Sequence, residues 1–479
     1  MKKSLLLCLL IGLSGVALAQ NLVSVTYLGA KSKNQLLNQF GVPFIQFGAK
    51  YYRITYMTLD VHGQPDTASG LAAVPDNLIN KYPRLVYQHG TASSRFDVPS
   101  YNVVGGGEGI IGQLCAGLGY IAYLPDYLGM GTSHGFHPYV HAASEASAAL
   151  DMLRAADAFE AQLLARSNDQ LFITGYSQGG HAAMALHREI EKNHAAEFTV
   201  TAASHMSGPY SISGVMRDLV LSDEIYYFPA YIPNFILGYQ TVYGNLFTNL
   251  TQVFKPAYAA LVQQYYTGTI NLTDLNTQLI ALLTANEGDS HPRRMFQDSL
   301  LLAVNSDSLH PINIAMAAND VYTDWAPQSP MRIYYCTADD QVPFENSIVA
   351  RDSLLSVVTQ DFQVVDVNPS ADHGGCVLPA LTNTVLFFGS LQQISTAVED
   401  PAAEIVLAPN PAQGLAILRN IPAAGQVSLT DVSGKTVYSQ ATGYTAEVPV
   451  DVSGLANGLY IIRFQGNGYF WQDKLSVAH

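Results

Sequence analysis

The chain is poor in charged residues, and basic residues are the scarcer kind. Only 13% of its 479 residues are charged, and 23 Lys and Arg face 38 Asp and Glu, which gives a formal net charge of −15. An acidic surface repels phosphate backbones and anionic lipid headgroups. The composition therefore argues against nucleic acid and anionic membranes as partners, but it leaves neutral lipid or polymer substrates open.

Long apolar runs are also scarce, and the most prominent one lies at the N-terminus. Lys2 and Lys3 precede an apolar run over residues 5–19 that ends in Ala17-Leu18-Ala19. This run is short for a membrane span, and the small residues at its end are typical of a cleavage site. Residues 1–19 are therefore predicted to be a signal peptide, and the mature protein is predicted to be exported without a transmembrane segment.

Cysteines number four, of which Cys115, Cys336 and Cys376 follow the predicted signal peptide. Their spacings do not suggest zinc ligands. Export permits a disulfide and leaves one cysteine over.

What the chain does contain is a series of short apolar runs, each followed by a loop and then by helical pattern. Buried strands that alternate with helices predict a mostly parallel α/β sheet with flanking helices, and reactive groups gather at the carboxyl ends of such strands. The helical stretches include residues 142–164 and 178–194. The predicted strands span residues 84–88, 120–124, 171–174, 199–203, 332–335 and 362–365.

The alternation breaks at about residues 210–328, where the pattern is helical and rich in aromatics. A segment inserted there between two sheet strands would form a cap over the carboxyl edge. Its aromatic residues would form either the core of the cap itself or an apolar funnel for an acyl or aryl group. They are Tyr226, Tyr227, Phe228, Tyr231, Phe235, Tyr239, Tyr243 and Phe247.

The composition changes again after residue 394. Residues 395–404 are small and polar and are predicted to be a linker. Residues 405–479 show short alternating runs separated by turns, a pattern typical of a small β-sandwich. Residues 20–394 are accordingly predicted to form the first domain, which includes the cap.

Two serines lie in a G-x-S-x-G pattern, Ser133 and Ser177. In a nucleophile elbow, a strand leads directly into the serine and a helix leaves directly after it, with glycines where the two pass closely. Ser177 follows the strand LFIT and precedes a helical stretch. Ser133 lies between loop-like segments, and Pro138 disfavours a helix there. Ser177 is therefore the predicted nucleophile.

A serine nucleophile needs a histidine base and an acid that orients it. In this fold class the chain order is serine, acid, histidine. His373 lies in a glycine-flanked loop after the last predicted strand and is the predicted base. Asp339 and Asp340 compete for the acid, and the D-x-x-V-P spacing favours Asp339.

The developing oxyanion needs two donors. The predicted donors are the backbone N–H groups of Gln178 and of Thr91, which follows the first predicted strand in His89-Gly90-Thr91. Cys336 and Cys376 each lie within three residues of a candidate catalytic residue, so we expect them to form a disulfide. The alternative is three buried free thiols.

The motifs YQHGT, LPDYLGMG followed by HPY, GYSQGG, TADDQVP and DHGG occur in this order. Together they resemble the α/β-hydrolase superfamily and, within it, the secretory lipase group, over roughly residues 45–390. The resemblance implies a helical cap between nucleophile and acid, Ser177, Asp339 and His373 as the triad, and carboxylic esters as substrates. The oxyanion loop varies in the group, so the resemblance does not identify the second donor.

The tail also resembles a known module. The segments APNP (408–411), DVSGK (431–435), LANGLY (455–460) and Lys474-Leu475 are similar to a type IX secretion sorting domain. This resemblance implies transit across the outer membrane through that machinery, with release or attachment at the cell surface.

These observations predict a secreted serine hydrolase that cleaves carboxylic esters through an acyl-enzyme on Ser177, without a metal or an organic cofactor. Two alternatives remain at this point. One is a serine peptidase on the same fold, although no recognisable propeller domain precedes the hydrolase core. The other is a non-catalytic surface-binding protein that retains the fold.

Overall fold

The structure is a computed structural model that describes residues 21–357, 361–396, 405–421, 424–443, 447–466 and 469–479. The predicted signal peptide and residues 397–404 of the predicted linker lie outside these residues. The chain divides into two compact units, Met1–Ser395 and Thr396–His479. Among the described residues, no helix combines the length and apolar character needed to cross a membrane.

The chain contains one large ten-stranded sheet, whose main path has the order β1-β2-β3-β5-β4-β6-β7-β8-β9, and a short tenth strand, β10 (Ser395–Thr396), pairs with β4. The strands from β5 through β4 to β9 pair in parallel, and β1, β2 and β3 add an antiparallel edge that pairs with β5. The strands are β1 (Leu22–Lys31), β2 (Ala49–Leu59), β3 (Pro65–Pro75), β4 (Asn80–Gln88), β5 (Ile121–Pro125), β6 (Arg166–Tyr176), β7 (Ala202–Met206), β8 (Met331–Tyr335) and β9 (Phe362–Asp366).

The six predicted strands correspond to β4 through β9, with one shift. The strand predicted over residues 199–203 lies at Ala202–Met206, because Ala202 pairs with Phe172 and Ala203 pairs with Met331. The antiparallel strands β1, β2 and β3 were not predicted. β1 and β2 are partly exposed, and their apolar residues are interspersed with polar ones, so they lack the continuous apolar runs of the central strands. β3 is almost entirely buried and contains the run Leu71 to Val74, which the prediction missed.

Helices cover both faces of the sheet, and each face has its own apolar core. Helices α4, α5 and α12 pack on one face, and α1, α3 and α13 pack on the other. The helices are α1 (Lys33–Phe40), α2 (Pro99–Asn102), α3 (Gly109–Gly117), α4 (Ala142–Leu163), α5 (Gln178–Asn193), α6 (Arg217–Leu221), α7 (Tyr231–Tyr243), α8 (Pro256–Tyr266), α9 (Leu272–Glu287), α10 (Asp298–Ser306), α11 (Pro311–Ala317), α12 (Glu345–Leu354) and α13 (His373–Gly389).

The cap lies between β7 and β8 and consists of α6 to α11, with a π-helical turn at Ile212–Met216 and 3-10 turns at Leu250–Gln252 and Pro292–Met295. It has a core of its own, to which Tyr239 and Phe254 contribute fully buried rings. Of the eight predicted aromatics, Tyr226, Tyr231 and Phe235 instead line a pocket beside Ser177. The segment therefore contains both core aromatics and pocket-lining aromatics, and the binding of an acyl or aryl group by the latter stays a prediction.

The second unit is a small β-sandwich. One sheet has the order β11-β12-β15 and the other the order β14-β13-β16-β17. Side chains from both sheets, among them Leu418 and Val450 from one and Val427 and Ile462 from the other, share a single core. The predicted fold class is thus confirmed in both units. The strands of this sandwich are β11 (Val406–Ala408), β12 (Leu415–Arg419), β13 (Gly425–Thr430), β14 (Thr436–Thr442), β15 (Glu447–Asp451), β16 (Gly458–Gly466) and β17 (Tyr469–Val477).

One disulfide joins the end of β8 to the first turn of α13. Cys336 and Cys376 are fully buried, and their Cα atoms lie 6.0 Å apart. Cys115 is a buried free thiol, and burial raises its pKa to about 12, which keeps it protonated and unreactive. The two segments that the disulfide joins also carry Asp339 and His373.

Replacing both bridged cysteines by serine should lower the free energy of unfolding by about 2–4 kcal/mol, because the bridge closes a long loop in the unfolded chain. The two cysteines are 40 residues apart in sequence. Urea denaturation of wild type and of Cys336→Ser/Cys376→Ser would measure the difference. Dithiothreitol should destabilise wild type and leave the variant unchanged; equal stability of the two proteins would contradict the prediction.

Candidate active site

Ser177 stands on a sharp turn between β6 and α5. Its backbone torsions are φ 60° and ψ −124°, a conformation that non-glycine residues adopt only when the surrounding structure holds them there. Ser177 N–H donates to Met206 O at 3.0 Å, and Ser177 O accepts from Gly180 N–H at 2.8 Å. These bonds tie the turn to β7 on one side and to the first turn of α5 on the other.

The glycines around Ser177 are required by close backbone contacts. A Cβ on Gly175 would lie 2.1 Å from Gly179 O, and a Cβ on Gly179 would lie 1.9 Å from Gln88 O. No side chain fits at these distances. The predicted close passage of strand and helix is therefore confirmed, and it involves the end of β4 as well as β6 and α5.

Ser133 has a different environment. Its hydroxyl is fully buried, donates to Asp66 Oδ2 at 2.7 Å and accepts from Gly129 N–H at 2.8 Å. The same carboxylate contacts the imidazole of His134 through Oδ1 at 2.6 Å. Because the hydroxyl proton is directed at a carboxylate and no histidine accepts it, this serine holds the loop together and is not placed as a nucleophile.

Asp339 and His373 form a buried pair at the carboxyl edge of the sheet. His373 Nδ1 lies 2.7 Å from Asp339 Oδ2, while Asp339 Oδ1 accepts the N–H groups of Gln341 at 3.0 Å and Val342 at 2.8 Å. The carboxylate is thus fixed on both oxygens, and it holds the proton of the imidazole on Nδ1. Asp340 contacts the backbone only, accepting His373 N–H at 3.1 Å.

His373 is the first residue of α13, whereas the glycines beside it predicted a loop. Asp372 caps the helix, because its Oδ1 accepts Gly375 N–H at 2.7 Å. Tyr176, which precedes Ser177, donates its hydroxyl to His373 O at 2.6 Å and packs its ring 5.0 Å from the imidazole. This contact brings the Ser177 turn and the His373 segment together.

The seven other histidines that follow Ser177 have contacts elsewhere. His181, His187 and His194 lie beside Glu145, Glu191 and Glu189, respectively. His205 lies inside β7 and is fully buried, His291 contacts Asp223 O, and His310 caps α11. His479 contacts Gln413 O within the second unit. Among the described residues, no group of three or more His, Cys, Asp or Glu side chains is arranged to hold a metal ion.

The two predicted oxyanion donors lie on adjacent loops. Gln178 is the first residue of α5, so its N–H has no acceptor within the helix. Thr91 follows β4, and its hydroxyl lies 2.8 Å from the Tyr139 hydroxyl. His89 braces this loop, with Nδ1 2.7 Å from Gly90 O, and Gly90 N–H is occupied by Glu108.

A pocket opens at Ser177 and extends under the cap. Its volume is about 990 Å³ when the open solvent at its mouth is included, and its lining is largely apolar. Ser177, Gln178 and Tyr139 line one part of it. The cap supplies most of the remaining wall, including Met216, Phe235, Ile236, Leu301, Ile312 and Met316.

A buried polar network beneath Ser177 was not predicted. Glu145 Oε1 accepts from Gln178 Nε2 at 2.9 Å, and Glu145 Oε2 lies 2.7 Å from His181 Nδ1. His137 Nε2 lies 2.8 Å from Gln178 Nε2. The HPY segment was part of the family resemblance, but only tertiary contacts show what its residues touch.

The fold and the site geometry define the first unit as an α/β-hydrolase. A family model described as "Secretory lipase" matches residues 110–373. That match covers more than half of the chain, and the chain belongs to the secretory lipase family. A second model, "Secretion system C-terminal sorting domain", matches residues 406–478, so both resemblances drawn from the motifs are confirmed.

Solved structures agree with this assignment. A mutant of the rice cell wall degrading esterase LipA from Xanthomonas oryzae is 27% identical, with a TM-score of 0.69, and the match covers 78% of this chain and 98% of that chain. Lipase A from Candida antarctica is 16% identical with a TM-score of 0.58, over 78% and 81% of the two chains, and shares the fold. A comparison with curated proteins finds no match.

Gly179→Ala should prevent stable folding or distort the Ser177 turn, since the added methyl group would overlap Gln88 O. Gly389→Ala is the matched control, because a Cβ there meets nothing within 4 Å and lies at the end of α13. Thermal unfolding should show a loss of several degrees or more for Gly179→Ala and none for Gly389→Ala. Similar melting temperatures for the two variants would refute the packing argument.

Proposed function

We propose that the chain is an exported serine esterase of the lipase type that cleaves carboxylic esters through an acyl-enzyme on Ser177. The observation that supports this most is the conjunction of a strained Ser177 turn with the buried Asp339–His373 pair at the same sheet edge. The secretory lipase family and the esterase activity named for LipA support esters as the substrate class.

The residues have distinct roles in this proposal. His373 Nε2 takes the proton of the Ser177 hydroxyl as Oγ attacks the ester carbonyl, and Asp339 holds the imidazole and stabilises its positive charge. The N–H groups of Gln178 and Thr91 bind the oxyanion. His373 then returns the proton to the departing alcohol, and water repeats the sequence on the acyl-enzyme to release the acid.

The lining of the pocket under the cap supports the proposal that this pocket binds an aliphatic acyl group of the substrate. Its cap wall is formed mainly by aliphatic and aromatic side chains. Burial of apolar surface contributes about 0.8 kcal/mol per methylene group. We therefore expect kcat/KM to rise with acyl length until the pocket is filled.

Export forms part of the same proposal. The predicted signal peptide (1–19) would direct the chain across the inner membrane. The sorting domain would engage the type IX machinery at the outer membrane and leave the enzyme released or attached at the cell surface. The sorting domain has its own core and supplies none of the residues proposed for catalysis.

Ser177→Ala should abolish hydrolysis of p-nitrophenyl esters from acetate to palmitate, since the attacking oxygen is removed. Wild type should be active, and kcat should fall by at least about 10⁴-fold in the variant. Ser133→Ala is the comparison and should lose far less kcat than Ser177→Ala, because its hydroxyl holds a loop together and does not attack the ester. Retained activity in Ser177→Ala would refute the proposal, and amide hydrolysis without ester hydrolysis would favour a peptidase.

Met316→Trp should shorten the usable acyl chain, because Met316 lines the pocket and the larger indole would occupy space there. The variant should lose kcat/KM on long-chain esters by about 10-fold or more and retain it on acetate. Ile314→Trp, on the same helix but 53% exposed and outside the pocket, is the control. An equal loss on all esters would contradict acyl binding in this pocket.

A further inference from the structure

The turn formed by His137, Pro138 and Tyr139, here called the HPY turn, contacts both proposed oxyanion donor residues. His137 Nε2 lies 2.8 Å from Gln178 Nε2, and the Tyr139 hydroxyl lies 2.8 Å from Thr91 Oγ1. The two donors belong to different loops, one after β6 and one after β4. The HPY turn therefore contacts both donor residues and links the two segments that carry them.

The donor and the acceptor in the hydrogen bond between His137 and Gln178 can be assigned. His137 Nδ1 lies 2.9 Å from Leu128 O, which can only accept, so Nδ1 carries the proton. Burial lowers the pKa of His137 to about 4, so the ring is neutral at neutral pH. Nε2 is then an acceptor, and it takes one hydrogen of the Gln178 side-chain amide.

The second hydrogen of that amide is also bound. Gln178 Nε2 donates to Glu145 Oε1 at 2.9 Å, and both residues are almost completely buried. With both amide hydrogens held by acceptors on different segments, the Gln178 side chain has one orientation. This restrains the residue whose N–H begins α5.

Thr91 is held in a comparable way. Threonine is stiff at χ1, so a hydrogen bond to its hydroxyl also restrains its backbone. Tyr139 is buried and its hydroxyl reaches Thr91 from the cap side of the site. The hydroxyl of Tyr127 donates to His89 O at 2.8 Å, and this bond holds the same loop two residues before Thr91.

The HPY turn is itself fixed by close packing. The ring of Tyr127 stacks on His137 at 5.6 Å with an interplanar angle of 13°. A Cβ on Gly129 would lie 2.5 Å from His137 N, and a Cβ on Gly238 in α7 would lie 2.7 Å from Tyr139 N. Backbone on both sides thus leaves the turn little room to move.

We propose that His137 and Tyr139 are positioning residues that hold the two halves of the oxyanion hole in place before reaction. The inference rests on the proposed esterase function and adds a role that the triad does not supply. Donors that are already oriented need no reorganisation when charge develops on the oxygen. Loss of either contact should therefore act on the transition state and leave ester binding in the ground state unchanged.

The test uses the full exported chain and compares Tyr139→Phe and His137→Asn with wild type. Tyr139→Phe removes only a hydroxyl. Asparagine can replace Nδ1 toward Leu128 but does not reach Gln178. Both variants should lower kcat about 10- to 100-fold, less than the about 10²–10³-fold loss for a missing donor, because the donors remain but are no longer held. KM should change little in both variants, and the melting temperature should change less in Tyr139→Phe than in His137→Asn, which also loses the stack on Tyr127.

Two further variants separate positioning from general damage. His137→Gln places an amide oxygen near the position of Nε2, where it can accept from Gln178, and should restore most of kcat. Tyr82→Phe removes another buried tyrosine hydroxyl bond, to Asn77 O, at the start of β4 and should keep wild-type kcat.

The decisive readout is the inhibition constant of an aliphatic trifluoromethyl ketone, whose adduct with a serine carries an oxyanion. In Tyr139→Phe and His137→Asn it should rise by the same factor by which kcat/KM falls. Wild-type kcat and inhibition in both variants would overturn the inference while leaving the esterase proposal intact, as would a rise in KM alone. Ester hydrolysis that survives in Ser177→Ala would overturn the proposed function, and this inference with it.

Discussion

The structure depends on the contact between three backbones at Ser177. The end of β4, the end of β6 and the first turn of α5 approach so closely that a methyl group on Gly179 would overlap Gln88 O. At this contact Ser177 has φ 60°, and it lines the pocket under the cap. The same contact also places the start of α5, with its unpaired N–H groups, beside the loop that follows β4. The positions of the proposed nucleophile and of both proposed oxyanion donors thus follow from one packing constraint.

Two other interactions connect the segments that carry Asp339 and His373 with each other and with the Ser177 turn. Tyr176 bonds His373 O, and the disulfide between Cys336 and Cys376 joins the two segments that carry Asp339 and His373. A bridge and a hydrogen bond therefore hold together segments that are far apart in sequence. The cap, inserted between β7 and β8, adds most of the apolar wall of the pocket beside Ser177.

Much of the candidate site could be predicted from sequence, because the motifs that indicate it are local. Ser177 and Ser133 share a motif, but only Ser177 has a strand before it and a helix after it, and those flanks are visible in the chain. The spacing around Asp339 likewise describes a single loop. By contrast, β1 and β2 form a half-exposed edge whose alternating pattern is weak, and β7 begins three residues later than predicted because pairing with its neighbours sets its register.

Local sequence patterns predicted the six parallel strands and the helices between them, the position of the cap, the tail module and the candidate catalytic residues. These properties follow from apolar patterning and from turns that only certain residues can adopt. Tertiary structure decided which carboxylate faces His373, which aromatics line the pocket and which form the core of the cap. It also decided that His137, Tyr139 and Glu145 meet the donor loops. Such contacts join side chains more than 30 residues apart, and no local pattern encodes the distance between them.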